Sequence, residues 1–301
     1  MDCSYFTNCH ISFYLPNKIH LSKCCLSSGY PVIELYLNEW FNIENKVDFL
    51  NNYFLNKWLP SPQNKEVIKN SCWKDLEKCE SKKHLDAITQ YEVSIDATCN
   101  INCKFCFKTK EREIIQKDKN LLNSIKQTYF ETLNNIIDNS TSPITIRLTD
   151  QGESLLPDER LYEVFEKAEK NENVKNILLT TNGVSLCSNT KIFEMLNKST
   201  KIKFHISLNG LTRERRKYIM GIDTFEKTIM IINYFRKAKK LERVSYVVDS
   251  IEAYNDIKDN IETFEKMCPG EIRLSPADGK PENNQLVAQL LYEFPNYLAR
   301  C

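Results

Sequence analysis

From residue 91 onward, short β-branched runs alternate with stretches in which apolar residues recur every three or four positions. Runs at 91–95, 144–148, 176–180, 202–208, 244–248 and 271–275 predict six strands. Between them, Leu122, Ile125, Tyr129, Leu133 and Ile136 mark one amphipathic helix. Phe225, Ile229, Ile232 and Phe235 mark a second, and Ile257, Ile261 and Phe264 a third. Asp223 and Glu226, three apart, predict a capping box that opens the second. Strand–helix alternation at this spacing predicts βαβ units and a parallel sheet.

The pattern within the strands selects the architecture. Ile202, Phe204, Ile206 and Leu208 share one face and Lys203, His205 and Ser207 the other. Ile144, Ile146 and Leu148 oppose Thr145 and Arg147; Val93 and Ile95 oppose Ser94 and Asp96; Ile272 and Leu274 oppose Arg273 and Ser275. An open sheet covered by helices on both faces would read as near-continuous apolar runs. One apolar and one polar face predict instead an α/β partial barrel, (β/α)6 and TIM-like, with helices outside and a polar lumen that holds a ligand. His205 is a candidate substrate contact on that inner face.

The first 88 residues read differently. Two strand-like segments, 10–15 and 19–21, flank Pro16-Asn17-Lys18 and predict a hairpin. An aromatic-rich helical stretch follows around 40–58, ended by Pro60 and Pro62. Residues 1–88 are therefore expected to form a small Cys-rich domain, with the boundary near 82–86, and residues 89–301 the barrel with a C-terminal helix.

Composition restricts the function classes. Of 301 residues, 42% are hydrophobic and 27% charged, as in an ordinary globular protein. The 41 basic and 40 acidic residues leave a net charge of +1, so no global field favours nucleic acid or anionic lipid. No apolar run approaches the length of a membrane span. Met1-Asp2-Cys3-Ser4 lacks a basic segment followed by an apolar one, which predicts a cytoplasmic protein. Such a chain does not keep many disulfides, so 12 Cys against only 7 Gly point to bound metal.

The sharpest motif is Cys99-Asn-Ile-Asn-Cys103-Lys-Phe-Cys106, directly after the first predicted barrel strand. Three thiolates converging in one loop favour an iron–sulfur cluster or zinc. A structural zinc site takes a fourth ligand, and none follows closely. On a 4Fe–4S cubane, three Cys leave one iron open. The alternative is three structural thiols.

On these residues the chain resembles the radical S-adenosylmethionine (radical SAM) enzymes, whose signature is a C-x3-C-x2-C loop after the first strand with an aromatic residue, here Phe105, before the third Cys. The resemblance runs from residue 91 to about 280. Gln151-Gly152-Glu153-Ser154 is similar to the family's Gly-Gly-Glu-Pro motif, which implies that Gly152 and Glu153 hold the methionyl amino group of SAM. Thr181-Asn182-Gly183 follows the third strand. Ser207-Leu208-Asn209-Gly210 resembles the family's Ser-x-Asp-Gly, implying contacts from Ser207 and Asn209 to the ribose and carboxylate; Asn255 and Arg273 match more loosely. Gln151, Ser154 and Asn209 depart from the family pattern. The resemblance implies two cofactors, a 4Fe-4S cluster on Cys99, Cys103 and Cys106 and S-adenosyl-L-methionine. It also implies a flavodoxin- or ferredoxin-type reductant and reductive cleavage of SAM to a 5′-deoxyadenosyl radical that abstracts a substrate hydrogen atom. Gly152, Gly183 and Gly210 stand where strands stop, which suits close approach of backbone to a ligand.

Cys9, Cys24, Cys25, Cys72 and Cys79 form a second group, similar to the SPASM or twitch auxiliary-cluster modules of that family, although here it precedes the barrel. A zinc staple or free buried thiols are the alternatives. Cys187, Cys268 and Cys301 have no spacing partners. The expected substrate is a peptide of ribosomal natural-product maturation. A sugar or other small molecule is the alternative, and a non-catalytic iron–sulfur or zinc protein the contrasting class.

Overall fold

The computed structural model describes residues 8–13, 18–22, 33–53, 56–57, 61–62, 88–95, 98–106, 109–149, 152–155, 158–277 and 281–300. The chain divides into two compact units. The first comprises Met1–Ala97, Asp118–Leu148 and Arg160–Ile177; the second comprises Thr98–Lys117, Thr149–Glu159 and Leu178–Cys301.

In the first unit, strands β1 (Asn8–Phe13), β2 (Lys18–Ser22), β3 (Ile33–Tyr36), β4 (Gln90–Ile95) and β5 (Ile144–Thr149) lie in the order β5-β4-β1-β2-β3. The expected hairpin forms: β1 and β2 pair antiparallel with His10 opposite Ser22. β1 also pairs in parallel with β4, Asn8 opposite Gln90 through Phe13 opposite Ile95. The described N-terminal strands thus continue the ladder of β4, whereas the sequence reading separates 1–88 from 89–301. The reason is physical, since β1 satisfies backbone groups that would otherwise line an open edge of β4. The predicted helix over 40–58 is two helices, α1 (Leu37–Asn42) and α2 (Lys46–Tyr53). Asn45 restarts it by accepting the Asp48 N–H on its side-chain oxygen at 3.1 Å.

Helices α3 (Thr109–Lys117) and α4 (Lys119–Asp138) follow β4, and α5 (Glu159–Lys170) follows β5. Asp118 caps α4 through the N–H groups of Asn120 and Leu121. The buried stripe of α4 includes Ile125, Tyr129, Leu133 and Ile136, as its periodicity predicts.

The second unit carries the carboxyl half of β6 (Val174–Thr181), then β7 (Ile202–Ser207), β8 (Leu241–Val248), β9 (Ile272–Pro276) and β10 (Leu298–Arg300). β7, β8, β9 and β10 pair in parallel in chain order. Helices α6 (Val184–Ser188), α7 (Thr190–Lys198), α8 (Arg213–Met220), α9 (Phe225–Lys237), α10 (Ile251–Met267) and α11 (Pro281–Glu293) connect and follow them. The apolar strand faces are buried as the alternation requires: Ile202, Phe204, Ile206 and Leu208 on β7 and the residue after it, and Val244, Tyr246 and Val248 on β8. Phe204 stacks on Phe235 of α9, ring centres 4.1 Å apart.

The polar faces pair among themselves. Arg147 meets Glu92 at 2.8 Å, and His205 Nε2 lies 3.1 Å from Glu242. The expected capping box on α9 is absent, because Asp223 takes both carboxylate oxygens to Arg213. A charge-assisted fork outweighs a cap to backbone N–H. Among the described residues no helix is long and apolar enough to cross a membrane.

Candidate functional site

All of the interactions that shape the Cys loop described here fall within the second unit. The loop is seated on apolar contacts first. Ile101 packs with Val184, Ile219 and Met220, and Cys99, Cys103, Phe105 and Ile222 lie against that group. Backbone bonds then fix its path: Lys104 N–H donates to the Ile219 carbonyl at 3.0 Å, and Cys106 N–H to the Cys103 carbonyl at 2.9 Å. Gln116 of α3 donates to the Cys99 carbonyl at 3.3 Å. The loop is thus pinned at its start, its middle and its end.

The three thiols are half-buried and close enough to interact electrostatically. Burial, joined by the repulsion of Cys99 and Cys106, pushes the Cys103 thiol up to about 12. Burial likewise raises Cys99. Two buried guanidinium groups, Arg112 and Arg216, act in the opposite sense on Cys103. Arg112 Nη2 also donates to Cys106 Sγ across 3.6 Å. Thr98 Oγ1, beside Cys99, is buried with no hydrogen-bond partner among the described residues. A desolvated set of thiols flanked by cations and an unspent hydroxyl fits an anionic, thiolate-ligated centre, which would relieve the first and employ the others.

Glu153 is 1% exposed, and its carboxylate is held by protein donors. Oε1 accepts from Leu155 N–H at 2.9 Å and Thr181 Oγ1 at 2.7 Å; Oε2 accepts from Asn182 N–H at 2.9 Å. Burial raises its pKa, and the bonds from Asn182, Thr181 and Leu155 lower it in part. A carboxylate offers about four acceptor sites, so one remains for a ligand. The Glu153 N–H in turn donates to the Thr98 carbonyl at 2.7 Å, joining this turn to the root of the Cys loop. Gly152 is half-buried beside it.

Ser207 ends β7 and stands level with Ser245, which stands level with Arg273. The three therefore share one height across adjacent strands. Arg273 Nε donates to Glu271 at 3.2 Å. Asn209 adopts a left-handed backbone, φ 55°, and its side-chain oxygen accepts from Val247 N–H at 3.0 Å. Asn tolerates that conformation better than most residues. Asn255 is exposed on α10, and its buried neighbour Asp256 makes the contacts there. Asp256 holds Leu211 N–H at 2.8 Å, Thr212 Oγ1 at 3.0 Å and the Tyr246 hydroxyl at 2.9 Å.

Two residues without a role in the sequence reading sit at the centre. Arg216, fully buried, donates to the carbonyls of Ser207, Leu208 and Asn182, the last at 2.9 Å, and to Thr224 Oγ1. Asn182 bonds through all its polar atoms. Its place in the Thr-Asn-Gly motif was visible; Arg216 was hidden in the charged run Arg213-Glu-Arg-Arg, although its spacing to Ile219 and Met220 puts it on the apolar face of α8.

Cys9 lies in β1 opposite Tyr91. Its side chain, together with Cys24, Cys25, Cys72 and Cys79, is outside the described residues, as is Cys301. Cys187 Sγ is 3.8 Å from Thr228 Oγ1, and buried Cys268 accepts from Arg236. A cleft of about 410 Å³ at the end of β8 is lined by Asp249, Ser250, Glu282 and Asn283 among others, and by none of the Cys-loop residues.

Residues 93–264, more than half of the chain, match the model of the radical SAM superfamily. The chain is 27% identical over 186 residues to a probable dual-specificity RNA methyltransferase RlmN of Clostridium botulinum, covering 59% of this chain and 50% of that protein. It is 29% identical over 146 residues to the GTP 3′,8-cyclase of Clostridium perfringens, covering 48% and 42% respectively. It thus spans about half the length of these relatives or less. Among solved structures, Streptococcus suis SuiB bound to precursor peptide SuiA aligns with a TM-score of 0.50 at 20% identity, over 81% of this chain and 55% of SuiB. A histidine-tagged anSMEcpe with bound AdoMet aligns with a TM-score of 0.50 at 15% identity, over 70% and 63%.

Proposed function

The chain belongs to the radical SAM superfamily, and from that premise we propose that Cys99, Cys103 and Cys106 hold a 4Fe–4S cluster with one iron left for SAM, in an enzyme that abstracts a hydrogen atom from a peptide. The observation that carries this reading is the pinned loop itself: three half-buried thiols in one loop, with the charges of Arg112 and Arg216 acting on them. When bound, the cluster and SAM supply reductive cleavage of the sulfonium and the hydrogen-atom abstraction that follows.

The chain's own residues bind and orient. The remaining acceptor site on Glu153 suits the amino group of SAM, with Gly152 leaving room for the backbone to approach. Ser207, Asn209 and Arg273 provide polar groups at the ends and inner face of β7–β9 for the ribose and carboxylate, and Phe105 closes the loop against solvent. Ile101, Val184, Ile219 and Met220 keep water from the thiols' inner side. A flavodoxin- or ferredoxin-type protein is the proposed reductant. A peptide substrate accords with SuiB, whose solved complex contains the precursor peptide SuiA, and with the balanced charge of this chain, which creates no global field favouring nucleic acid.

Anaerobic reconstitution followed by incubation with SAM and a strong reductant tests the reading. The expected result is 5′-deoxyadenosine from the wild type and none from Cys103→Ala. No product from the iron-replete wild type, or undiminished product from the variant, would overturn it. Mass spectrometry of short peptides encoded beside the gene, incubated with the enzyme, tests the substrate class. A sugar or nucleotide consumed in place of every peptide would refute that part alone.

A further inference from the structure

Asn182 stands at the carboxyl end of β6, immediately before Gly183, whose φ of 80° turns the chain into α6. It is 8% exposed, and each of its polar atoms is engaged. Its backbone N–H donates to Glu153 and its backbone carbonyl accepts from Arg216, each at 2.9 Å. Its side-chain oxygen accepts from Val184 N–H at 2.9 Å, which shapes the start of α6. The side-chain nitrogen points its two hydrogens elsewhere: to Asn100 Oδ1 at 2.7 Å and to Cys99 Sγ at 3.9 Å. Asn100 then donates to Ser185 Oγ at 3.3 Å, closing the link between the Cys loop and α6.

The division of labour within one side chain is informative. The oxygen serves the fold, while the nitrogen serves the Cys loop. We propose that Asn182 is a positioning residue for the iron–sulfur centre, its carboxamide holding Asn100 in place and donating to the Cys99 sulfur so as to raise the reduction potential of the cluster. This rests on the assignment of Cys99, Cys103 and Cys106 as ligands. An N–H aimed at a ligating sulfur stabilises the extra negative charge of the reduced state, and hydrogen bonds to sulfur are one of the protein's means of setting such potentials. Burial keeps water from screening the effect. Arg216 reinforces it by fixing the Asn182 carbonyl from the other side.

Asn182→Asp separates the two functions, since it keeps an oxygen for Val184 and removes both N–H donors. Asn182→Ser is the second variant; its hydroxyl can still accept from Val184 but does not reach Cys99. Each is reconstituted anaerobically and iron is counted. The midpoint potential is followed through the paramagnetic resonance signal that SAM perturbs, which distinguishes this cluster from any other. The expected result is full iron and a reduction equilibrium about tenfold less favourable, about 59 mV more negative for one electron. Iron loss from a chain whose apo form melts like the wild type also supports the proposal, because the loop then fails without the fold failing. An iron-replete variant of unchanged potential overturns it. So does collapse of the apo fold in both variants, which would make Asn182 a fold residue only. Failure of the underlying ligand assignment looks different: Cys99→Ala would keep its iron and the same signal.

Discussion

Gly210 and Arg216 approach so closely that a side-chain carbon on Gly210 would lie 2.4 Å from the Arg216 backbone nitrogen and 2.7 Å from its Cα. The chain turns sharply after β7, and α8 begins almost on top of the turn. That closeness brings the Arg216 guanidinium under the carbonyls of Ser207 and Leu208. Backbone atoms cannot rotate away as a side chain could. Gly210→Ala is therefore expected to destabilise the apo protein by about 3 kcal/mol, the upper range for overpacking, and to lower iron retention. Denaturant unfolding measures the first; a loss under about 0.5 kcal/mol, the range of neutral surface changes, would show that the turn relaxes freely.

Arg216 is a buried cation whose described partners are carbonyls and a hydroxyl, and burial pulls its pKa down to about 10. The carbonyl dipoles around it favour its charge, as would thiolates at Cys187 and Cys103. Arg216→Met would take a charged donor from three carbonyls, at about 1–3 kcal/mol for each one left dry and unpaired. A loss of about 3 kcal/mol or more is expected. Arg216→Lys should recover only part of it, because an ammonium cannot span carbonyls on two strands with the guanidinium's planar fork. Parallel unfolding curves of the three proteins check the order; full rescue by Lys would mean that charge alone matters.

Much of this was legible from periodicity. The six strands and three helices after residue 91 are found within a few residues of their expected bounds, because each presents a face that must be buried. Leu298–Arg300 escaped notice, since three residues carry no period. The capping box failed through competition: Asp223 is spaced for the cap, but Arg213 lies nearer in space than any spacing rule reveals. The parallel pairing of β1 with β4, Asn8 opposite Gln90, joins segments too far apart in sequence for any local pattern to reveal. At the site the Cys loop, Glu153 and the Gly positions were visible as motifs. The supports behind them were not. Asp256 and Arg216 act through backbone groups and hydroxyls of other segments, and such contacts leave no mark in local composition.

Asp256 gives the protein a pH dependence of definite sign. Its pKa is raised, chiefly by burial; bonds from Leu211, Tyr246 and Thr212 and the charge of Arg215 offset part of the rise. The folded state therefore binds a proton that the unfolded state releases, above the ordinary carboxyl value of 3.8. Stability tied to this group is fully present below that value and falls as pH rises through the folded pKa. Asp256→Asn removes the titration. The difference in unfolding free energy between wild type and variant should thus widen as pH is lowered from 7 toward 4. A difference that narrows on acidification would show that the ionised form of Asp256 is the one the fold prefers.

The N-terminal cysteines supply the last test. We propose that Cys9, one of Cys24 and Cys25, Cys72 and Cys79 ligate a second cluster, which four thiolates would close and suit to electron transfer, in contrast to the three-Cys loop at Cys99. The reconstituted wild type is expected to carry about eight irons per chain, falling to about four in a Cys72→Ala/Cys79→Ala variant. SAM should still perturb the remaining signal, because the Cys99, Cys103 and Cys106 loop is untouched by those substitutions. Elemental analysis decides between the metals. One zinc with about four irons in the wild type would assign the N-terminal group to a structural zinc site, and four irons with no zinc would leave those thiols free.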